Sequence, residues 1–560
     1  MEQMVKRFQS DLLSETPVIT TTPSMNFYNR KNTNQSLRLA IISDIHLFPK
    51  SLLKKQGENF RKYLCNDRKM LLDSEKILDA AMLKIIEEEP EVVLITGDLT
   101  KDSEKEAHNM LAKRLNILLK KGIKVFVING NHDINNPEAC MFIEDPKNIN
   151  KDKKVTVDTI LSEDFKRIYS DYGYSNAIAI HEGSLSYVAQ LNDGYRVIAI
   201  DSGTYGDDSS EQATEGYFRD GLVQWVVEQI KIGRDAGDEV IGMMHHGIIE
   251  HFRGQGDVFP SYLVKGWEEV SKIFADAGMR YMFTGHFHGQ DIASITTEHG
   301  NTLYDIMTGS LATAPSPIRI VTLNKDVDSI EVNSHFIDKI EGNDNFREYA
   351  TKFLKDGIPD MAVSLFQSIL LDNIKKEKIA LNDILIEIGC MNPMIVECIK
   401  ANLKQYNIDE YSTYIASYAI KDFVIAVTEE IRNIYVTENI KLMDVIQYCL
   451  MEVYNGDEIY SDEMKLVRSI IAEGVVIPNA ILEIINNHKK KLGIVGMAMK
   501  KEYIRSFLDS KVYGDISIGK LISMKLADLM DALLEKSNLS DNDLILYHGD
   551  IISEVESIAQ

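Results

Sequence analysis

A layered α/β fold, with two sheets packed together between helices and a mainly α-helical domain after it, is predicted by three observations. Short apolar runs rich in β-branched residues alternate with helical stretches from Leu37 onward. Polar and glycine-containing loops follow the ends of those runs. Beyond about Glu341 the β-branched runs give way to helical periodicity, as at Ile415, Tyr418, Ala419, Phe423 and Val424.

Residues 1–36 are polar, with Thr20, Thr21, Thr22 and Pro23, and read as an extended lead-in. Leu37–Ser43, Val92–Thr96 and Ile123–Asn129 have the length and composition of buried strands. Asp73–Glu89 and Glu104–Lys120 between them carry apolar residues at helical spacing, with Asp73 or Ser74 as N-cap of the first. Strands are further predicted at Tyr195–Ile200, Glu239–Met244, Arg280–Phe283, Thr302–Met307, Ile318–Leu323 and Ser329–Val332, the last three as a meander. The α/β domain is thus placed at residues 37–340, a linker at Gly342–Phe346 (GNDNF), and the helical domain at residues 346–560. No internal repeat is visible in the helical part.

The 560 residues carry 61 Lys+Arg against 85 Asp+Glu, so the net charge is 61 − 85 = −24. Such an excess speaks against a basic face for long nucleic acids. It also looks unfavourable for an anionic substrate. The five cysteines, at 65, 140, 390, 398 and 449, are scattered and include no CxxC pair, so neither a disulfide framework nor a thiolate zinc site is expected. The first 23 residues have no apolar core or small-residue cleavage site, and no run of about 18 apolar residues occurs anywhere. A soluble, cytoplasmic protein with no membrane partner is expected.

The chemistry lies at the ends of the predicted strands. The first runs into Ser43-Asp44-Ile45-His46, the second into Gly97-Asp98-Leu99-Thr100, and the third into Gly130-Asn131-His132-Asp133. Glu239–Met244 runs into His245-His246-Gly247, and the Arg280 strand into Gly285-His286-Phe287-His288. Loops beyond the carboxyl ends of strands are where α/β folds gather ligands. Each piece alone has a bland reading: Asp44 or Asp98 as a turn residue, Gly130-Asn131 as a turn signal, a histidine pair as a core or surface feature. Five such loops together describe a metal site. Carboxylate, amide oxygen and imidazole suit Mn, Fe or Zn rather than thiolate-seeking metals. Seven candidate ligands exceed one metal's needs and fit two divalent ions, with Asp98, on the middle loop, as the bridge. Two cations so placed would bind a phosphate and lower the pKa of a water between them. Their charge would also answer the −24: it is concentrated where a small anion binds, while the dispersed acidity still disfavours a long polyanion.

The ordered series DIH, GDLT, GNHD, HHG and GHFH resembles the calcineurin-like metallophosphoesterases over residues 37–340. Within that family, GDLTKDSEKEAH followed by VINGNHDINNP and a helical extension is similar to bacterial phosphodiesterases that include cyclic-nucleotide enzymes. The resemblance implies a four-layer αββα sandwich with a binuclear centre. It places Asp44, His46 and His288 on one metal and Asn131, His245 and His286 on the other, with Asp98 bridging. It makes His132 a catalytic residue that steadies the transition state and protonates the leaving oxygen, without binding metal. His245 matches the family ligand, and His246 then stands behind it or faces substrate. The GDxVDRG stretch of protein phosphatases is absent, since Gly97-Asp98 continues as Leu99-Thr100-Lys101-Asp102. The expectation is a phosphodiesterase for a small phosphodiester substrate, with cyclic nucleotides among the candidates and a phosphomonoesterase as the alternative. Asp102 and Asp133 are both candidates to orient His132, and the loop His251–Asp257 is a candidate pocket lining. For the helical domain the expectation is a packing scaffold or a homo-oligomer surface, with a main role in binding or assembly as the third alternative.

Overall fold

In a computed structural model, which describes residues 36–66, 68–206, 214–371, 378–391, 393–535 and 539–547, the first strand runs through the middle of a six-stranded sheet. This strand, β1 (Ser36–Ile42), pairs in parallel with β2 (Val92–Ile95), which pairs in parallel with β3 (Lys124–Val127). On its other side β1 pairs antiparallel with β13 (Pro317–Asn324), and β13 forms a hairpin with β14 (Ser329–Phe336). The strand Asp543–Tyr547, from the far end of the described chain, pairs antiparallel with β14 and completes that edge. Except for Ser36, the expected N-terminal lead-in lies outside the described residues.

The second sheet has seven strands. In it β8 (Tyr195–Ile200), β9 (Glu239–Met244), β10 (Tyr281–Thr284) and β12 (Thr302–Met307) run parallel. Its edges are built antiparallel from β6 (Ala177–Ile180) and β7 (Tyr187–Asn192) on one side and β11 (Asp291–Thr296) on the other. A separate exposed hairpin is made by β4 (Cys140–Asp145) and β5 (Asn148–Thr156).

Alternation along the strands makes the layers. Val197 and Ala199 of β8, Ile241 and Met243 of β9, and Phe283 of β10 share one core with β1–β3. Their neighbours Ile198, Ile200, Val240, Met244 and Met282 form another, with Leu222, Val226 and Ile230 of helix Leu222–Asp235 and Phe274 of helix Trp267–Ala277. Helices Ser74–Glu88 and Lys105–Lys120 cover the first sheet through Leu78, Met82, Leu111 and Leu115. This is the expected helix–sheet–sheet–helix sandwich, with period-two side chains assigning each strand to two cores at once.

Two local expectations are corrected. The last three predicted strands are no single meander: β12 belongs to the second sheet, and only β13 and β14 form the hairpin. Neither Asp73 nor Ser74 caps helix Ser74–Glu88 through its side chain. The Ser74 hydroxyl instead accepts from the Phe48 amide at 3.0 Å and donates to the Leu71 carbonyl. Strands β4 to β7 and β11 are additional elements that sequence periodicity does not single out.

After β14 the chain is mainly helical, beginning with helix Phe346–Leu371. The helices from Leu442 to Leu534 have a core of their own, and Phe252 and Phe287 of the α/β part pack against it. At this joint the Gln290 amide donates to the Val453 carbonyl at 3.3 Å. Beside it, Asp291 at the start of β11, Glu458 after helix Leu442–Asn455, and Asp541 ahead of the last strand bring carboxylate oxygens within 4.8 Å of one another. Burial and the neighbouring Asp291 push Asp541 up to about 8, and burial with Asp291 and Asp457 pushes Glu458 up to about 7. Positive charge faces the group from two sides. His251 pairs with Asp291, and the buried Arg319 guanidinium donates to the Asp291 and Asp541 carbonyls.

Candidate metal centre

Each predicted ligand leaves the end of a parallel strand. Asp44 and His46 follow β1, Asp98 follows β2, Asn131 follows β3, His245 follows β9, and His286 and His288 follow β10. The parallel strands in both sheets end at one rim, so their loops meet there. Asp44, His46, Asp98, His286 and His288 all have left-handed backbone conformations, with φ between 43° and 70°. Such conformations are unfavourable for residues with a side chain, and they persist where the surroundings demand them. Gly130 and Gly285 allow close approach: a Cβ at Gly130 would overlap Asp98 Oδ1, and one at Gly285 would overlap Ser43 and Asp44.

The seven side chains converge in two overlapping groups. In the first, Asp44 Oδ1 lies 3.2 Å from His288 Nε2, which lies 3.3 Å from His46 Nε2. Asp44 Oδ1 and His46 Nδ1 are buried with no hydrogen-bond partner among the described residues. The other oxygen, Oδ2, accepts from the Ser43 hydroxyl at 2.5 Å and the His286 amide at 2.9 Å, which fixes the carboxylate. In the second group, His245 Nε2 lies 3.3 Å from Asp98 Oδ2 and 3.2 Å from Asn131 Oδ1, and His286 joins Asp98 and His245. Asp98 Oδ2 is also 3.6 Å from His46 Nε2, so this one carboxylate touches both groups.

The hydrogen bonds assign the free imidazole nitrogens. His245 Nδ1–H donates to the Thr96 carbonyl at 2.9 Å, leaving the Nε2 lone pair for the cluster. His286 donates Nε2–H to the Ser261 carbonyl at 3.2 Å, leaving Nδ1. A backbone acceptor behind an imidazole is the arrangement that orients a metal ligand. His246 differs: Nδ1 accepts from Ser202 at 2.8 Å and Nε2 donates to the Thr214 carbonyl at 3.0 Å, so both nitrogens are spent. It supports the loop and does not enter the cluster.

Lone pairs of carboxylates and imidazoles facing one another at 3.2–3.7 Å fit cations between them. The electrostatics agree. Burial raises the carboxyls, yet His288 and His245 hold Asp44, and His245 and His132 hold Asp98, well below the usual range. Conversely, Asp98 and Asp44 overcome burial and raise His245 to about 9, so the pocket attracts positive charge. His46 is lowered to about 4 by burial and by the nearby Lys69.

His132 stands at the edge. Its Nδ1–H donates to Asp102 Oδ1 at 2.8 Å, and its Nε2 points toward Asp98 Oδ2 at 3.9 Å. Asp102 also receives Asn136 at 3.2 Å, Tyr63 at 3.3 Å and the buried Lys101 ammonium. Asp133 spends its oxygens on the amides of Leu99, Thr100 and Gly130, tying two ligand loops together. Of the two orienting candidates it is therefore Asp102 that holds the imidazole. Burial and Lys69 press His132 downward, but Asp98 and Asp102 outweigh them and raise its pKa.

The loop His251–Asp257 serves the domain joint. His251 is buried against Asp291 and Asp305, and the Phe252 ring meets Phe259 edge-on and lies tilted against Phe287. Lys69 is a site residue that motif reading missed. It is 2% exposed, with its Nζ 3.5 Å from His132 Nε2. It lies far from any strand end, and nothing in its sequence neighbourhood marks it.

Fold and site together define a class. Residues 37–290, a little under half of the chain, match the family model of the calcineurin-like phosphoesterases. The chain is a metal-dependent phosphoester hydrolase. Among solved structures, it is similar to a dimetal phosphatase from Danio rerio, at 14% identity over 54% of this chain and 96% of that one, with a TM-score of 0.37. It is also similar to phosphopantetheinyl hydrolase from Mycobacterium tuberculosis, at 10% identity over 50% and 91% of the two chains, with a TM-score of 0.23. None of the curated proteins matches. Among the described residues no single helix is long and apolar enough to cross a membrane.

Proposed function

We propose that this chain is a phosphodiesterase acting on a small phosphate diester, with a cyclic nucleotide as one candidate, at a centre of two divalent ions drawn from Mn, Fe and Zn. The observation that carries the reading is the pair of ligand groups joined at Asp98, with His132 held over them by Asp102. Asp44, His46 and His288 would hold one ion and Asn131, His245 and His286 the other, with Asp98 shared. When bound, the ions supply Lewis acidity toward a phosphoryl oxygen and a lowered pKa for water.

The chain's own residues do the rest. Asp102 fixes the His132 tautomer by accepting from Nδ1, so Nε2 is the atom that meets the phosphoryl group. Water oxygen adds to phosphorus as the P–O bond to the leaving group breaks, and a proton carried on Nε2 passes to the leaving oxygen. The rigid left-handed ligand loops hold the cluster in place before substrate arrives.

The absence of GDxVDRG and the surplus of acidic residues support a small substrate over a phosphoprotein or long nucleic acid. On this reading the protein works in the cytoplasm without a membrane partner. Residues 37–340 are the catalytic domain and residues 346–560 the helical one, a scaffold or homo-oligomer surface. The test is hydrolysis of a chromogenic diester and the matching monoester by Mn-loaded protein. Preference for the diester is expected. Turnover of the monoester alone would replace this reading with a phosphomonoesterase, and turnover of neither would remove it.

A further inference from the structure

Two adjacent cations, Arg68 and Lys69, sit on the loop between helices Glu58–Asn66 and Ser74–Glu88, and they serve different parts of the molecule. The Arg68 guanidinium lies over the Phe353 ring, 4.2 Å from its centre, and donates to the Phe353 carbonyl at 2.5 Å. Both contacts are with helix Phe346–Leu371, and Gly357 on that helix makes the room, since a Cβ there would overlap the guanidinium. On the other flank, the Met70 amide donates to the Ala312 carbonyl at 2.8 Å. Lys69 is thereby fixed between two anchors.

Its ammonium reaches the catalytic edge. Nζ is 3.5 Å from His132 Nε2, which is 3.9 Å from Asp98 Oδ2, so the ammonium and the ring nitrogen stand side by side at the edge of the cluster. Its charge also bears on His46 in the candidate metal cluster. A fixed ammonium beside a proton donor and a metal cluster is a binding group for a phosphoryl oxygen.

We propose that Lys69 contacts substrate, taking a charged phosphoryl oxygen beside His132, and that the helical region positions it through Arg68. This rests on the hydrolase reading above and adds a binding group that the strand-end motifs do not contain. Because the contact is ionic, it favours phosphoryl groups of higher charge.

The test uses the full chain loaded with Mn²⁺ as wild type, Lys69→Gln, Lys69→Arg and Arg68→Gln, with metal content checked in each. Inorganic phosphate binding is measured by calorimetry, and kcat and KM with the chromogenic diester and monoester. Lys69→Gln is expected to keep its metal and bind phosphate about ten- to a hundredfold more weakly. KM is expected to rise more for the dianionic monoester than for the monoanionic diester. Lys69→Arg should recover part of the affinity, and Arg68→Gln, which leaves the ammonium in place, should lose only a few-fold. Unchanged phosphate affinity in Lys69→Gln, with only the pH profile moved, would assign Lys69 to His132 alone and overturn the proposal. Unchanged affinity in Arg68→Gln would overturn the positioning role of the helical region. If Lys69→Gln does not fold, Lys69→Arg decides: it keeps the charge on a differently shaped head, so a phosphate affinity equal to wild type rejects direct contact and a changed one supports it. Lys69-dependent phosphate binding without hydrolysis of either ester would remove the hydrolase reading and leave this one standing. Hydrolysis with Lys69-independent binding would do the reverse.

Discussion

Replacing Glu458 by Gln should stabilise the protein at alkaline pH. In the joint, Glu458 stands beside Asp291 and Asp541, and its pKa is moved from an ordinary 4.5 to about 7. The folded protein therefore keeps a proton there that the unfolded chain releases. Folding takes up protons between those values, so the contribution to stability is intact below pH 4.5 and lost as pH rises through 7. Asp541, raised to about 8, acts in the same direction. The difference of about 2.5 decades in proton affinity would be about 3 kcal/mol if it belonged to Glu458 alone. The repulsion is shared among three carboxyl groups and Glu458 is partly exposed, so about 1–2 kcal/mol is the expected share. Glutamine removes the charge and keeps the shape. Thermal melts of both proteins should show the variant higher by about 1–2 °C near pH 8, with the gap closing toward pH 5. A variant no more stable than wild type near pH 8 would refute the reasoning. So would an equal gain at both pH values, which would point to packing instead.

Asp98→Ala should lose both bound metal and activity, because that carboxylate joins the two ligand groups; metal analysis with the diester assay checks this, and a metal-replete, active variant would contradict it. His132→Gln should retain its metal while kcat falls by about 10²–10⁴, and Asp102→Asn, which leaves the imidazole but releases its tautomer, should fall by less. His246→Ala should keep its metal, since both ring nitrogens are spent elsewhere, but melt lower by the equivalent of about 1–3 kcal/mol for the lost buried bonds.

Much of this molecule was legible from residue order. The candidate ligands could be read because a parallel strand ends where its apolar run ends, and the next residues form a loop at a common rim. β1, β2, β3, β9 and β10 all announce themselves in this way. Edge strands could not: β5 is largely polar and exposed, and β6 alternates too briefly to stand out. The choice between Asp102 and Asp133 was equally closed to sequence. Both lie beside a motif, and only the path of the loop decides that Asp133 is consumed by three amides while Asp102 faces a ring. Lys69 was invisible for a related reason: its function depends on a neighbour 63 positions away.

The strand Asp543–Tyr547 changes what kind of appendage the helical region is. Because β14 leaves the first sheet and this strand returns to it, the helices between them are held at both ends, like the handle of a bag. A tail can swing away on one linker, but a handle can only slide or flex. Cutting the chain near Glu341 would therefore leave β14 with an unpaired edge and remove Asp541 from the joint, so such a truncation would test an injured sheet as much as a missing domain. An internal excision that splices Phe336 to Ser540 through a short flexible linker is the cleaner way to ask what the helices contribute.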